Sequence, residues 1–263
     1  MRARYFMLVI AMAILLFIVP VAQAITYGEP DGSGHPNVGV LVVEYQGKKV
    51  GVCSGTLISP TVFLTAGHCT APLPSFGIEQ VWISFEPGLD TKTSKLYPGT
   101  PFTHPSYGHD FARENDLGVV IFEDDIPGIE PATLPAAGLL DEIGPRGLRG
   151  QQFTAVGYGM SEPSLGGGPP VFSGFGIRQV STPTFNALNQ NWLRLSQNNA
   201  TGDSGTCTGD SGGPNFLGAG DGETDIIVAI TSTGDSMCQA TNVTYRLDTP
   251  SAREFLSQFV KLP

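Results

Sequence analysis

Short apolar runs separated by turn-forming residues dominate the chain. The runs are rich in Val, Ile, Phe and Thr, and lie at Val38–Tyr45, Val52–Ile58, Val62–Ala66, Val81–Phe85, Leu117–Phe122, Phe153–Tyr158, Ile226–Ser232 and Tyr245–Leu247. Gly, Pro, Asn and Asp cluster between them, and runs of this length and β-branched content favour strands over helices. The pattern therefore predicts an all-β protein of the barrel or sandwich type.

Two segments depart from this strand pattern. After Pro250 and Ser251, apolar residues recur at helical spacing through Val260, which predicts a C-terminal helix over about residues 250–261. Between Glu123 and Arg149, Pro and Gly are frequent and alternation is weak. This stretch predicts a connection between two β-rich halves, residues 25–130 and 131–263.

The first 24 residues differ in kind from the rest. Arg2 and Arg4 precede an unbroken apolar run from Phe6 to Val19, and Ala22-Gln23-Ala24 fits a small-x-small cleavage site. We interpret residues 1–24 as a secretory signal peptide, which places the mature chain outside the cell or in a periplasm. A retained membrane anchor is the alternative, for which the apolar run is short.

Composition narrows the possible partners. Hydrophobic residues make up 41% of the 263 residues and charged residues 14%, which is typical of a globular chain. The net charge is −10, and loss of Arg2 and Arg4 would take it to about −12. Such a negative charge argues against nucleic acid and against anionic membrane surfaces as partners.

The four cysteines form two groups along the sequence. An even number in an exported chain predicts two disulfides, for which three pairings exist. Cys53 is close in sequence to Cys69, and Cys207 to Cys238, so we favour local pairing. Four free thiols or a metal site are less consistent with the sequence, which contains no Cys-x-x-Cys.

The stretch TGDSGTCTGDSGGP, residues 201–214, contains TGDSG twice and so offers two candidate nucleophiles, Ser204 and Ser211. Serine attacks a carbonyl only when a histidine takes its proton and a carboxylate orients that histidine. The four histidines His35, His68, His104 and His109 all precede both serines. This order excludes the α/β-hydrolases, in which the histidine follows the serine. The orders Asp–His–Ser, starting from Asp31, and His–Asp–Ser both remain open.

Three segments together resemble the signatures of the chymotrypsin/trypsin-like serine peptidases. They are CSGTLISPTVFLTAGHC at 53–69, NDLGVV at 115–120 and CTGDSGGP at 207–214. The segments FTAVGYG at 153–159 and AITSTGDSMC at 229–238 resemble strands of that family's second domain. The resemblance covers essentially the whole mature chain. It implies two Greek-key, six-stranded antiparallel β-barrels with a C-terminal helix.

The resemblance assigns a role to individual residues. His68 would be the general base and acid, Asp116 would orient it, and Ser211 would be the nucleophile. The backbone N–H groups of Gly209 and Ser211 would form the oxyanion hole. The family's disulfides carry over to Cys53–Cys69 and Cys207–Cys238, in agreement with local pairing. We expect no metal and no organic cofactor.

Other residues in the sequence compete for some of these roles. Asp110, close to His109, is the rival to Asp116, and we prefer Asp116 because an apolar run follows it directly. His104 and His109 are interpreted as loop residues and not as metal ligands.

The resemblance also bears on the start of the mature chain. Cleavage after Ala24 would expose the ammonium group of Ile25, and in the resembling family such a terminus pairs with the aspartate before the nucleophile, here Asp210. The sequence Ile25-Thr26-Tyr27-Gly28 departs from the family's usual Ile-Val-Gly-Gly. We therefore state the pairing of Ile25 with Asp210 as a hypothesis, in which signal cleavage itself activates the protein.

Five residues are expected at the specificity pocket: Gly205, Thr206, Ser232, Gly234 and Val243. Gly205 falls where a trypsin carries the aspartate that selects Arg or Lys, so a tryptic preference is not predicted. Val243 would narrow the pocket, which favours small or medium apolar side chains. Asp203 and Asp235 could supply negative charge if the register differs.

We conclude from the sequence that the protein is a secreted, monomeric serine endopeptidase that acts on protein or peptide substrates. Two alternatives use the same scaffold: a catalytically inert binding protein, and an esterase with the same triad. Relatives that have become inert typically lose a triad residue, whereas this chain retains all three candidates.

Overall fold

The computed structural model describes residues 25–108, 114–161 and 171–263. The predicted signal peptide, His109 and Asp110 lie outside these residues. In chain order the strands are β1 Glu29–Pro30, β2 Val38–Tyr45, β3 Lys48–Ser59, β4 Val62–Thr65, β5 Val81–Ser84, β6 Tyr97–Thr103, β7 Gly118–Ile121, β8 Phe153–Gly157, β9 Gln179–Ser181, β10 Thr184–Leu188, β11 Trp192–Ser196, β12 Pro214–Leu217, β13 Ile227–Gly234 and β14 Thr241–Arg246. The helices are α1 Gly67–Thr70, α2 Leu139–Leu148 and α3 Pro250–Leu256, and 3₁₀ turns cover Leu73–Phe76, Asn199–Thr201 and Gly220–Gly222.

The first sheet is a closed six-stranded barrel in the order β2-β3-β4-β7-β6-β5. Its apolar runs explain the closure, because β2 is buried from Val38 to Val43 and pairs with both β3 and β5. A closed barrel leaves no free sheet edge. The barrel thereby fixes the loop after β4, which carries His68, and the loop before β7, which carries Asp116.

The second sheet has eight strands in the order β1-β9-β8-β12-β13-β14-β11-β10. Pro183, which cannot donate to a strand ladder, separates β9 from β10. An isolated bridge between Gln152 and Thr184 brings β10 back beside the start of β8. The sheet thus curls toward a second barrel, of which β9 and β10 form one interrupted strand.

The two ends of the chain cross between the halves. β1 pairs with β9 of the second sheet, although the chain then continues into the first barrel. In the opposite sense, α3 follows the second sheet, and its Phe255 ring lies 5.0 Å from that of His104 beside the first barrel. One buried cluster contains Phe63 of the first barrel, Phe216 of the second sheet and Leu256 of α3.

The all-β prediction is confirmed, with differences in individual elements. The segment expected to be a connection contains α2, which is interrupted at Gly144, where φ is +66°. The C-terminal helix ends at Leu256 and not near residue 261. The described residues include no helix long and apolar enough to cross a bilayer.

Candidate active site

His68 and Asp116 meet between β4 and β7. His68 lies in the short helix α1, and its Nδ1 atom is 2.9 Å from Oδ2 of Asp116. The backbone N–H of His68 donates to Oδ1 of the same carboxylate at 2.7 Å. The Asp116 side chain is fully buried, whereas that of His68 is 22% exposed. The carboxylate therefore fixes both the orientation of the ring and the nitrogen that carries the proton.

A further side chain, that of Ser232, holds the Asp116 carboxylate. The hydroxyl of Ser232 donates a short hydrogen bond to Oδ2 of Asp116. Ser232 sits at an irregularity in the pairing of β13 with β14, between Thr231 and Thr233. Such bulges re-aim side chains, which explains how a strand residue reaches Asp116. Ser232 was expected only as a pocket residue, and the sequence carries no signal for this second contact.

Asn115 sets the backbone in front of Asp116. Its φ is +58°, a left-handed conformation that Asn tolerates better than most residues. Its side-chain oxygen accepts hydrogen bonds from Tyr245 at 3.1 Å and from Ser251 at 2.6 Å. Ser251 belongs to α3, so the C-terminal helix is connected to the residue next to Asp116. Sequence reasoning missed this role.

The loop from Cys207 to Gly213 presents Ser211. The amides of Asp210, Gly212 and Gly213 donate to the carbonyls of Cys207, Thr231 and Asp210. Within the described residues, the amides of Gly209 and Ser211 have no acceptor. Gly209 has a φ of +101°, and a Cβ there would lie 2.5 Å from the Phe175 ring. Glycine is therefore required at the position expected for the oxyanion hole.

Ser54 holds this loop from the first barrel. Its hydroxyl donates to the carbonyl of Gly209 at 3.0 Å, and its amide donates to the carbonyl of Ser211 at 2.8 Å. Because both carbonyls are engaged behind the loop, the two amides can face the cleft. Ser54 is fully buried and lies next to Cys53. It was not singled out from the sequence.

A cavity of about 410 Å³ joins these groups. His68, Gly209 and Ser211 line it, and so do three of the expected pocket residues, Thr206, Ser232 and Gly234. The other two, Gly205 and Val243, are not among its described lining residues. Gln197 packs against Gly205, where a Cβ would lie 2.2 Å from the Gln197 Cβ, and its side-chain oxygen accepts from the Thr206 amide. Gln197 therefore occupies the space beside Gly205.

The two aspartates near the pocket have different surroundings. Asp203 accepts hydrogen bonds from the hydroxyls of Thr184, Ser196 and Thr201, and it does not line the cavity. Asp235 does line the cavity. Burial alone would raise the pKa of Asp235, but hydrogen bonds from backbone amides, Thr241 foremost, hold it below its usual value. These amides belong to the loop that carries Asp235, and their hydrogen bonds already stabilise its negative charge.

The two copies of TGDSG separate in space. Ser204, in the first copy, is buried, and its hydroxyl accepts a hydrogen bond from the Thr182 amide at 2.9 Å. Ser211, in the second copy, lines the cavity with His68. Of the two serines, Ser211 is thus the one that shares a cavity with a histidine of the described residues.

Asp210 lies directly behind the cavity and is fully buried. Its carboxylate accepts hydrogen bonds from the amides of Gly159 at 2.7 Å and Cys207 at 2.8 Å. Burial nevertheless raises the pKa of Asp210 to about 7. Ile25 is also fully buried, and its amide donates to the carbonyl of Met160 at 3.2 Å. Ile25 and Asp210 therefore contact adjacent residues of one segment, Gly159 and Met160.

The four cysteines form Cys53–Cys69 and Cys207–Cys238, the local pairing. Among the described residues, the group with a spacing suited to a metal ion is Cys53, His68 and Cys69. Both of these cysteines are bonded to each other, so their sulfurs are not thiolate ligands. The arrangement is that of a histidine beside a disulfide.

Two β-barrel-like sheets with a histidine, a buried aspartate and a serine at their junction define a serine peptidase of the chymotrypsin type. The family model described as Trypsin matches residues 33–255. Brachyurin from Leptuca pugilator is 34% identical over 216 residues, which cover 74% of this chain and 84% of that protein. The chain therefore belongs to the trypsin family and is a serine-type endopeptidase.

The solved structure of HL collagenase at 1.7 Å resolution has the same fold. It superposes with a TM-score of 0.67, covering 92% of this chain and all of that chain, at 18% sequence identity. At this low identity the likeness concerns the fold alone.

Proposed function

We propose that the protein is a secreted endopeptidase that cleaves peptide bonds through His68, Asp116 and Ser211. The observation that carries the proposal is that the buried Asp116 carboxylate lies 2.9 Å from Nδ1 of His68. The cavity that His68 lines is also lined by Ser211. A carboxylate at Nδ1 keeps the proton there and leaves Nε2 free to act as a base.

The proposed reaction has two halves. The Oγ atom of Ser211 attacks the peptide carbonyl carbon as Nε2 of His68 takes its proton, and Asp116 stabilises the resulting imidazolium. The amides of Gly209 and Ser211 donate to the carbonyl oxygen as it becomes negative. The amine leaves with the proton from His68. Water then attacks the acyl-enzyme ester by the same route and frees Ser211.

Labelling with a fluorophosphonate tests the nucleophile. We expect the wild type and Ser204→Ala to be labelled and Ser211→Ala to remain unlabelled. Ser204→Ala is the matched control because it lies in the same repeated motif but is buried and bonded to Thr182. Labelling of Ser211→Ala at the wild-type rate would refute the assignment.

The residue on the acyl side of the cleaved bond is proposed to be small or medium and uncharged. Gly205 supplies no charge, Gln197 occupies the space beside it, and backbone amides satisfy Asp235. Cleavage sites in a peptide library give the preference directly. Cleavage mainly after Arg or Lys that disappears in Asp235→Asn would instead make Asp235 the selecting group.

We further propose that cleavage before Ile25 activates the enzyme. The new ammonium would lie at the segment that Asp210 also contacts, and it would pair with a carboxylate whose burial is otherwise costly. Sequencing of the secreted protein from its N-terminus tests the position, since a start well downstream of Ile25 would contradict it.

A further inference from the structure

The ring of Phe175 lies between the two halves of the molecule and contacts the loop that presents Ser211. A Cβ atom on Gly209 would lie 2.5 Å from Cε2 of Phe175, and a Cβ on Gly51 would lie 2.7 Å from its Cε1. Gly51 belongs to β3 of the first barrel, whereas Gly209 precedes β12 of the second sheet. Both positions exclude a side chain, because Cβ atoms in proteins do not approach other atoms so closely. One ring thus fills the space of two missing side chains.

Backbone contacts to both halves determine where this ring lies. Phe175 is flanked by Gly174 and Gly176, whose φ angles are +86° and +97°. Left-handed conformations on both sides turn the chain sharply, which glycine permits without strain. The Gly176 amide donates to the carbonyl of Tyr158 at 2.8 Å, and its carbonyl accepts from the Leu89 amide at 2.7 Å. The sequence Gly-Phe-Gly is therefore fixed by the second sheet on one side and by the first barrel on the other.

Gly209 has no side chain to hold it, although its amide is one of the two donors proposed for the oxyanion hole. It has a φ of +101°, and glycine loses more conformational freedom on folding than any other residue. The Ser54 hydroxyl holds its carbonyl from behind at 3.0 Å. On the side where a side chain would be, the Phe175 ring is the nearest group, and the Cα of Gly159 follows at 2.9 Å. A hydrogen bond on one side and a ring on the other thus oppose rotation of the Gly209 backbone.

We propose that Phe175 is a positioning residue of the oxyanion hole. Its ring keeps the Gly209 amide directed at the same oxygen as the Ser211 amide. Phe175 is not among the described residues that line the catalytic cavity, so it acts through Gly209 and not by contact with the substrate. The inference rests on the function proposed above, because the two amides matter only if Ser211 attacks a carbonyl carbon.

Steady-state kinetics with a peptide ester substrate gives the first test. Removal of one oxyanion donor costs about 10²–10³ in kcat, and a donor that is only misdirected costs less, so Phe175→Ala should lower kcat by about 10- to 100-fold. KM should stay within about threefold, because the lost interaction is made in the transition state alone. Phe175→Leu keeps a smaller apolar side chain and should fall between Phe175→Ala and the wild type. It carries the test if Phe175→Ala does not fold.

A matched pair of inhibitors separates positioning from substrate binding. A peptide aldehyde adds to Ser211: the bond from Oγ to the aldehyde carbon forms, the carbonyl double bond becomes a single bond to a negative oxygen, and the Oγ proton passes to His68. This oxygen then accepts from the two amides, as in the transition state. The corresponding peptide alcohol binds in the same cavity but forms no such bond. In Phe175→Ala the aldehyde should lose affinity by the same factor as kcat, whereas the alcohol should keep its affinity.

Phe185→Ala is the matched control. Phe175 and Phe185 are both partly buried and pack against a buried cluster, but Phe185 packs on the one that contains Leu193, in the second sheet. Its loss should lower the stability of the protein while kcat and the ratio of aldehyde to alcohol affinity keep their wild-type values. The control therefore measures what the loss of a packed ring does on its own.

Three results would overturn the proposal while leaving Ser211 as the nucleophile. A wild-type kcat in the folded Phe175 variants would mean that the ring only packs. Equal losses of aldehyde and alcohol affinity would mean that the ring contacts the substrate. A loss of kcat in Phe185→Ala as large as in Phe175→Ala would assign the effect to general destabilisation. Absence of fluorophosphonate labelling and of turnover in the wild type would instead refute the proposed function itself.

Discussion

The buried carboxylate of Asp210 should make the stability of the protein depend on how its N-terminus is processed. Two forms can be compared, one that begins at Ile25 and one that retains Ala24 in front of it. In the second form Ile25 has an uncharged amide, which donates to the Met160 carbonyl. In the first, the nitrogen is an ammonium group at the same segment. We expect the difference in stability between the two forms to develop between pH 4 and pH 7 and to persist just above pH 7.

The magnitude follows from the pKa of Asp210. Burial raises this pKa from 3.8 to about 7 in the chain that continues through Ile25. A shift of roughly three pH units at about 1.4 kcal/mol per unit corresponds to about 4 kcal/mol. Since the folded pKa lies above the unfolded one, this contribution is fully present below about pH 4 and is lost as the pH rises through 7. An ammonium partner at Ile25 would stabilise the charged carboxylate and reduce the loss.

Denaturant unfolding at a series of pH values measures this difference. Each form is compared with its own Asp210→Asn variant, so that the titration of all other groups cancels. Relative to Asp210→Asn, the form that retains Ala24 should lose about 4 kcal/mol of unfolding free energy between pH 4 and pH 7. The form that begins at Ile25 should lose much less, and its activity should be higher at pH 7.

Equal losses in the two forms would refute the reasoning. They would mean that the Ile25 nitrogen does not interact with the Asp210 carboxylate whether or not it is charged. A loss that persisted unchanged in Asp210→Asn would show that another group titrates, and that the burial of Asp210 is not its cause.

Two further variants test other parts of the structure. Asp116→Asn should keep the fold but lower kcat by about 10⁴, because the amide no longer holds the proton on Nδ1 of His68. Steady-state kinetics measures the turnover and circular dichroism checks the fold. Near-normal turnover would point to Asp110 as the orienting carboxylate. Arg178→Ala should cost about 3–5 kcal/mol of unfolding free energy, because Arg178 is the cation 2.7 Å from the buried Asp31 carboxylate. Burial alone would raise the pKa of Asp31, but hydrogen bonds from His35 and Arg178 lower this pKa to about 2. The stability that the charged Asp31 contributes is therefore present above about pH 4 and is lost as the pH falls through 2. The exposed Arg194→Ala is the charge-matched control, and equal unfolding free energies of the two variants would contradict the role of Arg178.

Strand patterns in the sequence were informative where apolar residues are continuous and less so where prolines intervene. The prediction for β2 coincides with the structure, because its residues from Val38 to Val43 are all buried. β6 was missed, since Pro98, Gly99 and Pro101 are typical of loops, yet it closes the first barrel between β5 and β7. α2 was missed for a similar reason: Gly144 and Pro145 divide it into two short pieces.

Of the candidate site, the sequence predicted the reacting residues but not the residues that support them. His68, Asp116 and Ser211 carry local motifs, but their supports come from far along the chain. Ser232 is 116 residues away from the Asp116 it bonds to, and Ser54 is 155 residues away from Gly209. No local pattern encodes such pairs, because tertiary packing alone brings them together.

The exchange of chain ends between the halves has a consequence for cooperativity. β1 lies in the second sheet while its chain continues into the first, and α3 returns from the second sheet to contact His104 and Asn115. Each half is thus completed by a segment that is covalently continuous with the other. We therefore expect the two halves to unfold together, and two fragments produced by a cut around residue 131 to remain associated. The crossed chain ends therefore connect the two walls of the cleft, so that a change at either end of the chain is felt on both sides of it.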